Sequence, residues 1–330
     1  MKRVGGLFPQ VVDFEALRTA ARRASRGTRT RESVTFLADL ELNVLRLQAQ
    51  LVDGSWQPGT PHTFRILDPK PRTITSVPFA DRVVHHAVCA ALEPVLESYA
   101  VHHSYACRKG KGNRAAVAAA QHFAGRHPWF VKLDVRHFFE TVYHDRLLAT
   151  LGRRLKDAAV LDLVRRILAG GGTLGRGLPI GSLTSQQLGN FLLGRVDHYA
   201  TEGLRVSGWV RYMDDMLAFG ATRASVVQAA AGIERFVRED LGQELKHEAT
   251  RIDRTTSGVP WLGFRVWPRA IRLDAARARR FVKRARTLRC GAWASPELRA
   301  QSARGLFDWV GQARTRGLRA RALAAFEADS

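Results

Sequence analysis

Apolar residues recur along the chain with two periods, one helical and one extended. Phe14, Leu17 and Ala20 begin a series with gaps of three or four residues, which predicts helices over 12–53. The same helical spacing covers four other segments: 81–97, 113–123, 144–169 and 223–241. A helix is also predicted from about Thr184 to Thr201. Short apolar or alternating runs predict strands over 62–78, 129–133 and 259–267, and helical spacing returns over 265–330.

One acidic pair interrupts an otherwise apolar stretch. Tyr212-Met213-Asp214-Asp215 is flanked by apolar residues on both sides, which predicts a β-hairpin whose turn contains the two acids. Two adjacent carboxylates in a buried hairpin repel each other and resist desolvation. We therefore expect a cation there, and hard oxygen ligands on a rigid turn suit Mg²⁺.

The net charge indicates a polyanionic partner. The 330 residues include 52 Lys or Arg against 30 Asp or Glu, a formal charge of +22. Nucleic acid is the default partner for such a balance. The basic residues are concentrated near the end of the chain, where residues 265–330 hold 16 Lys or Arg against 5 Asp or Glu.

Other residue types exclude several classes of site. The three cysteines are far apart, so neither a disulfide framework nor a zinc cluster is indicated. The doublets His85-His86 and His102-His103 match no zinc spacing, and structural or nucleic-acid contacts are the alternative. No apolar stretch of about 20 residues is present to span a bilayer, and the N-terminus lacks the apolar core of a signal peptide. We expect a cytoplasmic protein with no membrane partner.

A third carboxylate follows a separate apolar strand. Phe130-Val131-Lys132-Leu133 ends at Asp134, which with Asp214 and Asp215 gives three acids from two strands. Two metal ions about 3.5–4 Å apart need shared anionic ligands of this kind and serve in-line phosphoryl displacement. The alternative is a strand-end aspartate and a solvated acidic turn without chemistry.

In this setting the chain resembles reverse transcriptases. The Tyr-x-Asp-Asp hairpin and the strand-end Asp134 followed by Phe138-Phe139 form the centre of the resemblance. Further matching motifs occur in the family's order: Arg72-Thr73-Ile74 with Pro78–Val84, Ser104–Gly112, Gly177–Gln186 and Trp261–Phe264.

One segment indicates a particular branch of the family. Ile180 stands where most reverse transcriptases have Gln, and Ser185-Gln186 replaces Ser-Pro. This combination, with Phe64–Lys70, is similar to reverse transcriptases of diversity-generating retroelements. The resemblance implies an enzyme that copies a template-repeat RNA into adenine-mutagenised cDNA. The alternatives are a retron, group II-like or phage-defence reverse transcriptase, or a catalytically silent RNA-binding scaffold.

The resemblance also implies a fold. It is the α+β, right-hand polymerase fold, with fingers, a palm of antiparallel sheet plus helices, and a helical thumb. The expected division is an N-terminal helical extension over 1–60, fingers over 61–128, a palm over 129–265 and a basic helical thumb over 266–330. A fingers insertion is expected within the palm at about 150–175.

The metal ligands are likewise implied by the resemblance. Asp134, Asp214 and Asp215 are expected to bind two Mg²⁺ ions, for which Mn²⁺ is the substitute. Asp134 is expected to bridge both ions, and the backbone carbonyl of Val135 to complete one site.

Further residues are expected to contact the incoming dNTP. Arg72, Arg108 and Lys109 would hold the triphosphate, with contacts to the RNA backbone as the alternative. Phe139 would pack under the deoxyribose and exclude a 2′-hydroxyl, with a place in the core as the alternative, whereas Phe138 would enter the core. The remaining expected nucleotide-binding residues are Ile180, Gln186 and Tyr212.

An apolar Ile180 lacks the hydrogen bond that a Gln offers near the incoming nucleotide. Sites that form hydrogen bonds reject wrong partners better than apolar sites do. We therefore expect weaker discrimination, although apolar contact does not explain why template adenine is singled out.

The resemblance finally implies the other partners and one departure. Template RNA and the RNA–DNA duplex would be gripped by the thumb, with Lys283, Arg284 and Arg286 on the phosphates. A small basic oligomeric accessory protein is a further implied partner. The family often has a lysine at the position of Ala249, where it is proposed to protonate pyrophosphate. The alternatives are that Lys246 or Arg251 replaces it, or that the role is absent from this chain.

Overall fold

A computed structural model of the protein describes residues 3–27, 30–67, 71–171, 175–290, 295–311, 313 and 315–327. Residues 68–70, which belong to the motif Phe64–Lys70, lie outside this described part. The chain divides into two compact units. Unit 1 comprises Met1–His102, Val135–Tyr199 and Glu234–Leu245, and unit 2 comprises His103–Asp134, Ala200–Ile233 and Lys246–Ser330.

Runs of helices are separated by strands and short runs of strands, the order typical of an α+β protein. The helices are α1 (Phe8–Val12), α2 (Phe14–Ala24), α3 (Arg31–Ala38), α4 (Leu40–Val52), α5 (Phe79–Tyr99), α6 (Asn113–Arg126), α7 (Phe138–Thr141), α8 (His144–Gly152), α9 (Ala158–Gly171), α10 (Leu183–His198), α11 (Arg223–Phe236), α12 (Ala275–Cys290), α13 (Pro296–Val310) and α14 (Arg316–Glu327). The strands are β1 (His62–Ile66), β2 (Arg72–Ser76), β3 (Trp129–Asp134), β4 (Gly208–Tyr212), β5 (Asp215–Gly220), β6 (Arg251–Arg254), β7 (Val259–Trp261), β8 (Phe264–Trp267) and β9 (Ala270–Leu273).

Helix α5 is the centre of unit 1. Its residues Val83, Val84 and Val88 are fully buried, and it packs against α2 and α10. Burial of such a continuous apolar face stabilises the unit mainly by removing apolar area from water. The antiparallel β1–β2 hairpin belongs to the same unit and pairs Phe64 with Ile74. These elements confirm the helices predicted over 12–53 and 81–97 and the strands predicted over 62–78.

The helical prediction over 144–169 is confirmed as two helices rather than one, because the chain leaves the helical path between α8 and α9. Val4 pairs with Leu155 there, through Val4 N–H to the Arg154 carbonyl at 2.7 Å and Lys156 N–H to the Val4 carbonyl at 2.7 Å. The Asp157 carboxylate then accepts hydrogen bonds from the backbone at the start of α1. A distant segment thus supplies the backbone partners that a continuous helix would have made internally.

Unit 2 is built on a four-stranded sheet in the order β4-β5-β3-β6, with each neighbouring pair antiparallel. Phe130, Val210, Leu217 and Phe219 line one face of this sheet and pack against α6. Small residues of α6 allow this close approach, since Ala116 and Ala120 are fully buried. The predicted strand at 129–133 and the predicted hairpin are both confirmed.

The region 259–273 differs from its prediction. Residues 259–267 form a hairpin of β7 and β8 rather than one strand, and β9 adds a third strand where helical spacing was expected. Leu262 and Gly263 make the turn with positive φ values of 47° and 83°. Strand β6 was also absent from the sequence prediction. Trp261 is 1% exposed and donates its indole N–H to the Ala116 carbonyl at 3.2 Å, which ties this small sheet to α6.

Helices α12, α13 and α14 form the end of unit 2. Phe281, Ala285 and Leu288 are buried along one side of α12, at helical spacing, and Phe281 meets Phe307 with ring centroids 5.4 Å apart. Within the described part of the chain, no helix has the length and apolarity needed to cross a membrane.

Candidate active site

The acidic tetrapeptide occupies the tip of the β4–β5 hairpin. Tyr212 lies opposite Asp215, so Met213 and Asp214 form a two-residue turn. Met213 has a φ of 51°, a conformation that costs a non-glycine residue some backbone strain. Residues on either side of the tip, including Val210 and Leu217, are completely buried. The acids therefore stand at the end of a rigid ribbon.

Strand β3 brings the third carboxylate to the same place. Asp134 is the last residue of β3 and lies directly opposite Asp215 in the antiparallel register. Because side chains alternate along a strand, Lys132 shares the face of Asp134 and Asp215. Like charges placed directly opposite each other destabilise a sheet. The register thus creates a concentrated negative charge at one sheet end.

Lys132 compensates part of that charge. Its Nζ lies 3.0 Å from Asp215 Oδ1, in an ion pair whose side chains are 21% and 30% exposed. Asp215 Oδ1 is nevertheless closed to solvent and accepts no well-directed hydrogen bond. The Lys132 ammonium is close enough to compensate the charge of this oxygen, but it is not aligned to donate a hydrogen bond to it. A buried carboxylate oxygen in that condition is suited to a further cation.

The donor set fits a hard divalent ion. It consists of carboxylate oxygens, which Mg²⁺ and Mn²⁺ prefer. The register brings Asp134 and Asp215 together, while Asp214 stands on the adjacent turn. Among the described residues, no three Asp, Glu, His or Cys side chains are close enough together to hold a metal ion.

Residues 103–112 run beside the hairpin. Ser104 pairs with Arg211 of β4 in a parallel bridge, and Arg108 Nη1 donates to the Ser104 carbonyl at 2.7 Å. Lys111 lies over the Tyr105 ring, with its Nζ 5.2 Å from the centroid. Burial raises the pKa of the Tyr212 phenol, and the nearby Cys107 adds to that shift. Arg108 is half-buried and Lys109 exposed. Both residues were predicted to hold the triphosphate, and both belong to unit 2, which also contains the acidic hairpin.

In unit 1, the segment 177–184 is held by backbone and side-chain bonds. Thr75 N–H donates to the Ile180 carbonyl at 2.8 Å. Gly181 has a φ of 112°, and a Cβ there would lie 2.9 Å from Ile74 Cγ2. Only glycine allows this approach without displacement of the neighbouring strand β2. Ile180 itself remains partly exposed.

A buried polar network fixes the other end of that segment. Ser182 Oγ and Thr184 Oγ1 are 2.6 Å apart, and His85 Nδ1 lies 3.1 Å and 3.3 Å from them. Burial, reinforced by the charge of His86, lowers the pKa of His85 to about 4. His85 is therefore neutral at physiological pH. Gln186 follows in the first turn of α10, with an exposed side chain.

The other predicted nucleotide contacts of unit 1 differ in exposure. Phe138 is 2% exposed and enters the core, as expected, while Phe139 is partly exposed on α7. Their rings meet edge to face with centroids 5.3 Å apart. Val135 is 1% exposed and pairs with Leu245. Arg72 is exposed at the start of β2.

The predicted phosphate contacts of α12 lie opposite its apolar side. Lys283, Arg284 and Arg286 are all exposed, whereas Ala285 between them is buried. This amphipathic arrangement leaves the basic side chains accessible to a polyanion.

Comparison with known proteins decides the family. Residues 67–266, more than half of the chain, match the model of the family described as reverse transcriptase (RNA-dependent DNA polymerase). The chain belongs to the reverse transcriptase family. The matched range includes Asp134, Asp214 and Asp215. The α+β, right-hand polymerase fold class is thereby confirmed, and members of this family use divalent metal ions.

Individual relatives are distant. Protein YkfC of Escherichia coli is 29% identical over 181 residues, which cover 49% of this chain and 46% of that protein. Group II intron-encoded protein LtrA of Lactococcus lactis is 22% identical over 191 residues, covering 54% of this chain and 32% of LtrA. The chain thus spans less than half the length of these curated relatives. A solved telomerase from Candida albicans, in complex with a fragment of telomeric RNA, overlaps with this chain with a TM-score of 0.49 at 13% identity. The overlap covers 82% of this chain and 55% of the telomerase chain.

Two cations of this reverse transcriptase were not singled out from the sequence. Lys132 and Arg211 each lie inside an apolar run, and each contacts the acidic hairpin. A lone charged residue within a buried strand was the available signal, because such a residue is costly unless it is paired. Its partner, in contrast, depends on strand register and cannot be read from spacing.

The ion pair of Lys132 generates a stability prediction. Lys132→Met should lower the free energy of unfolding by about 0.5–1 kcal/mol in metal-free buffer, because two opposed carboxylates lose their compensating charge. Added magnesium chloride should reduce the loss, since a divalent ion supplies the missing charge. Urea denaturation with and without magnesium measures both values. Lys156→Met, at an exposed lysine, is the control; an equal loss for Lys132→Met in both buffers would contradict the assignment.

Proposed function

We propose that the protein is an RNA-directed DNA polymerase that works by two-metal nucleotidyl transfer. The observation that carries this proposal is the β3–β5 register, which sets Asp134 opposite Asp215 at the end of a sheet. Family membership supports the same activity. A catalytically silent RNA-binding scaffold would have no need to maintain this electrostatically costly cluster.

Asp134, Asp214 and Asp215 would hold two Mg²⁺ ions, with Mn²⁺ as substitute, and the Val135 carbonyl would complete one site. Bound there, the ions would stabilise the attacking and leaving oxygens of the phosphoryl transfer. Lys132 would hold the Asp215 carboxylate in place through their ion pair. Asp134 is additionally held through its backbone, where its carbonyl accepts a hydrogen bond from Lys246 N–H at 2.8 Å.

Arg72, Arg108 and Lys109 would bind the triphosphate. Arg108 donates one N–H to the Ser104 carbonyl, and guanidinium groups bind phosphate through charge-assisted hydrogen bonds. In unit 1, Phe139 would pack under the deoxyribose, and Ile180 and Gln186 would contact the nucleotide. Tyr212 would complete the nucleotide contacts beside the hairpin.

Lys246 is the better replacement for a general acid at the Ala249 position. Arg251 donates to Asp253 Oδ2 at 2.7 Å, so its guanidinium already has a carboxylate partner. Lys246 is joined through its backbone to Asp134 and is partly exposed. An ammonium is also a better proton donor than a guanidinium, whose pKa is far above the working pH.

The finer proposal is a diversity-generating reverse transcriptase. It would copy a template-repeat RNA into adenine-mutagenised cDNA in the cytoplasm, with a small basic oligomeric accessory protein as partner. Ile180 and Ser185-Gln186 support this branch. The RNA–DNA duplex would lie on the exposed Lys283, Arg284 and Arg286. We also propose the division into an N-terminal extension (1–60), fingers (61–128), palm (129–265, with a fingers insertion at about 150–175) and thumb (266–330).

A group II-like reverse transcriptase is the second candidate. The similarity to the intron-encoded protein LtrA favours it. The substrate and error spectrum distinguish the two candidates, because only the diversity-generating type would concentrate errors at template adenines.

The polymerase proposal predicts the effect of removing one carboxylate charge. Asp215→Asn should lower magnesium-dependent dNTP incorporation by about a hundred- to thousand-fold or more, because metal-bound charge stabilises the transition state. RNA affinity should remain within about twofold, since phosphate contacts lie elsewhere. Primer extension and RNA binding by fluorescence anisotropy measure these effects. Asp253→Asn, in the same sheet, should retain activity; undiminished synthesis by Asp215→Asn would overturn the proposal.

The branch proposal predicts an altered error spectrum. Ile180→Gln should reduce misincorporation opposite template adenine several-fold, because it restores a hydrogen-bonding group near the nucleotide. Sequencing of cDNA made from an RNA template measures the effect. Ile180→Val retains the apolar contact and should retain the errors, whereas identical spectra for all three proteins would argue against a role for this position.

The proposed sugar contact predicts a change in substrate choice. Phe139→Ala should weaken discrimination against rNTPs by about ten- to hundred-fold, because the ring volume that would exclude a 2′-hydroxyl is lost. Single-nucleotide extension with paired dNTP and rNTP substrates gives the ratio of kcat/KM values. Phe139→Tyr keeps the volume and is the matched control. Unchanged rNTP exclusion in a folded Phe139→Ala protein would refute the gate.

A further inference from the structure

Arg211 is a buried cation on the strand that leads into the acidic turn. It is 1% exposed, and Trp209 and Val210 beside it are as deeply buried. A buried guanidinium destabilises a protein unless its donors are matched, and an apolar side chain of similar volume often serves stability equally well. Its presence in this strand therefore needs an explanation beyond stability.

The first contact of Arg211 is with the turn itself. Nη1 donates to the Met213 carbonyl at 3.2 Å. That carbonyl belongs to the peptide that joins Met213 to Asp214, so the bond fixes the peptide plane preceding the acid. Met213 has a left-handed φ of 51°, and a turn strained in this way needs an external contact to hold it.

The second contact is with the segment that contains Arg108. Nη2 of Arg211 donates to Ser104 Oγ at 2.9 Å, and Ser104 is completely buried. The backbones are also joined: Arg211 N–H donates to the His103 carbonyl at 2.9 Å, and Tyr105 N–H to the Arg211 carbonyl at 3.0 Å. Arg108 in turn donates to the Ser104 carbonyl. One guanidinium thus joins the turn of Asp214 to the residues that position Arg108.

We propose that Arg211 is a positioning residue that holds the Asp214 turn and the Arg108 segment in one fixed arrangement. It would touch neither substrate nor metal. The proposal rests on the proposed polymerase function, in which Asp214 holds a metal ion and Arg108 the triphosphate. Residues that orient metal ligands typically change metal affinity or activity by about 10–100-fold when replaced.

Three variants test this role. Arg211→Met removes both contacts and keeps the volume, Arg211→Lys keeps the charge but can reach fewer acceptors, and Ser104→Ala removes only the second contact. Arg254→Met, at an exposed arginine of β6 in the same sheet, is the control. Mn²⁺ titration followed by electron paramagnetic resonance measures metal affinity, and hydrogen–deuterium exchange measures the mobility of the turn peptide.

We expect Arg211→Met to weaken Mn²⁺ affinity and lower kcat by about 10–100-fold. Arg211→Lys should lie between that protein and the wild type. Ser104→Ala should mainly raise the dNTP KM, because the Arg108 segment loses its tie. Exchange should rise at residues 212–216 in the Arg211 variants and stay unchanged after Arg254→Met. If Arg211→Met fails to fold, Arg211→Lys tests the contact with the turn and Ser104→Ala tests the contact with the Arg108 segment.

Wild-type exchange at residues 212–216 and unchanged Mn²⁺ affinity in Arg211→Lys, together with an unchanged dNTP KM in Ser104→Ala, would overturn the proposal. Failure of the polymerase function is recognised separately, as a wild-type protein that incorporates no dNTP. In that case the exchange measurement still decides whether Arg211 holds the turn, because it needs neither metal nor substrate.

Discussion

The antiparallel register of β3 against β5 is the constraint on which the candidate site depends. It sets Asp134 opposite Asp215, although two carboxylates in that relation repel each other. A slip of one residue would turn Asp134 to the other face of the sheet and move the buried Leu133 and Val131 out of their present packing. Apolar packing therefore supplies the free energy that keeps the two acids together.

The two embedded cations act on this arrangement from opposite faces of the sheet. Lys132 shares the face of Asp134 and Asp215 and reduces their repulsion. Arg211 lies opposite Met216, on the other face, and reaches the turn through the Met213 carbonyl. One cation thus compensates side-chain charge, while the other constrains the backbone. Such a division leaves the acidic face clear of the larger guanidinium group.

The sequence predicted the strand and the hairpin that carry the acids, but it did not predict the contacts between distant elements. The hairpin and β3 follow from apolar runs bounded by polar residues, so the positions of Asp134 at a strand end and of Asp214 and Asp215 at a hairpin tip could be predicted. The β7–β8 turn could not, because Leu262 interrupts no apolar pattern and its positive φ has no sequence signal beyond the following Gly263. The break between α8 and α9 depends on pairing with Val4, which local periodicity cannot report.

The contacts that hold segment 177–184 in place leave the side chain at position 180 able to vary. Thr75 binds the backbone of Ile180, Gly181 fits closely against β2, and His85 with Ser182 and Thr184 fixes the far end. None of these contacts uses the Ile180 side chain. The His85 network also keeps its charge state near neutral pH, because the pKa of His85 is lowered to about 4. The segment can therefore retain its position while residue 180 changes, so that a substitution there would alter the proposed nucleotide contact without displacing the backbone that holds it.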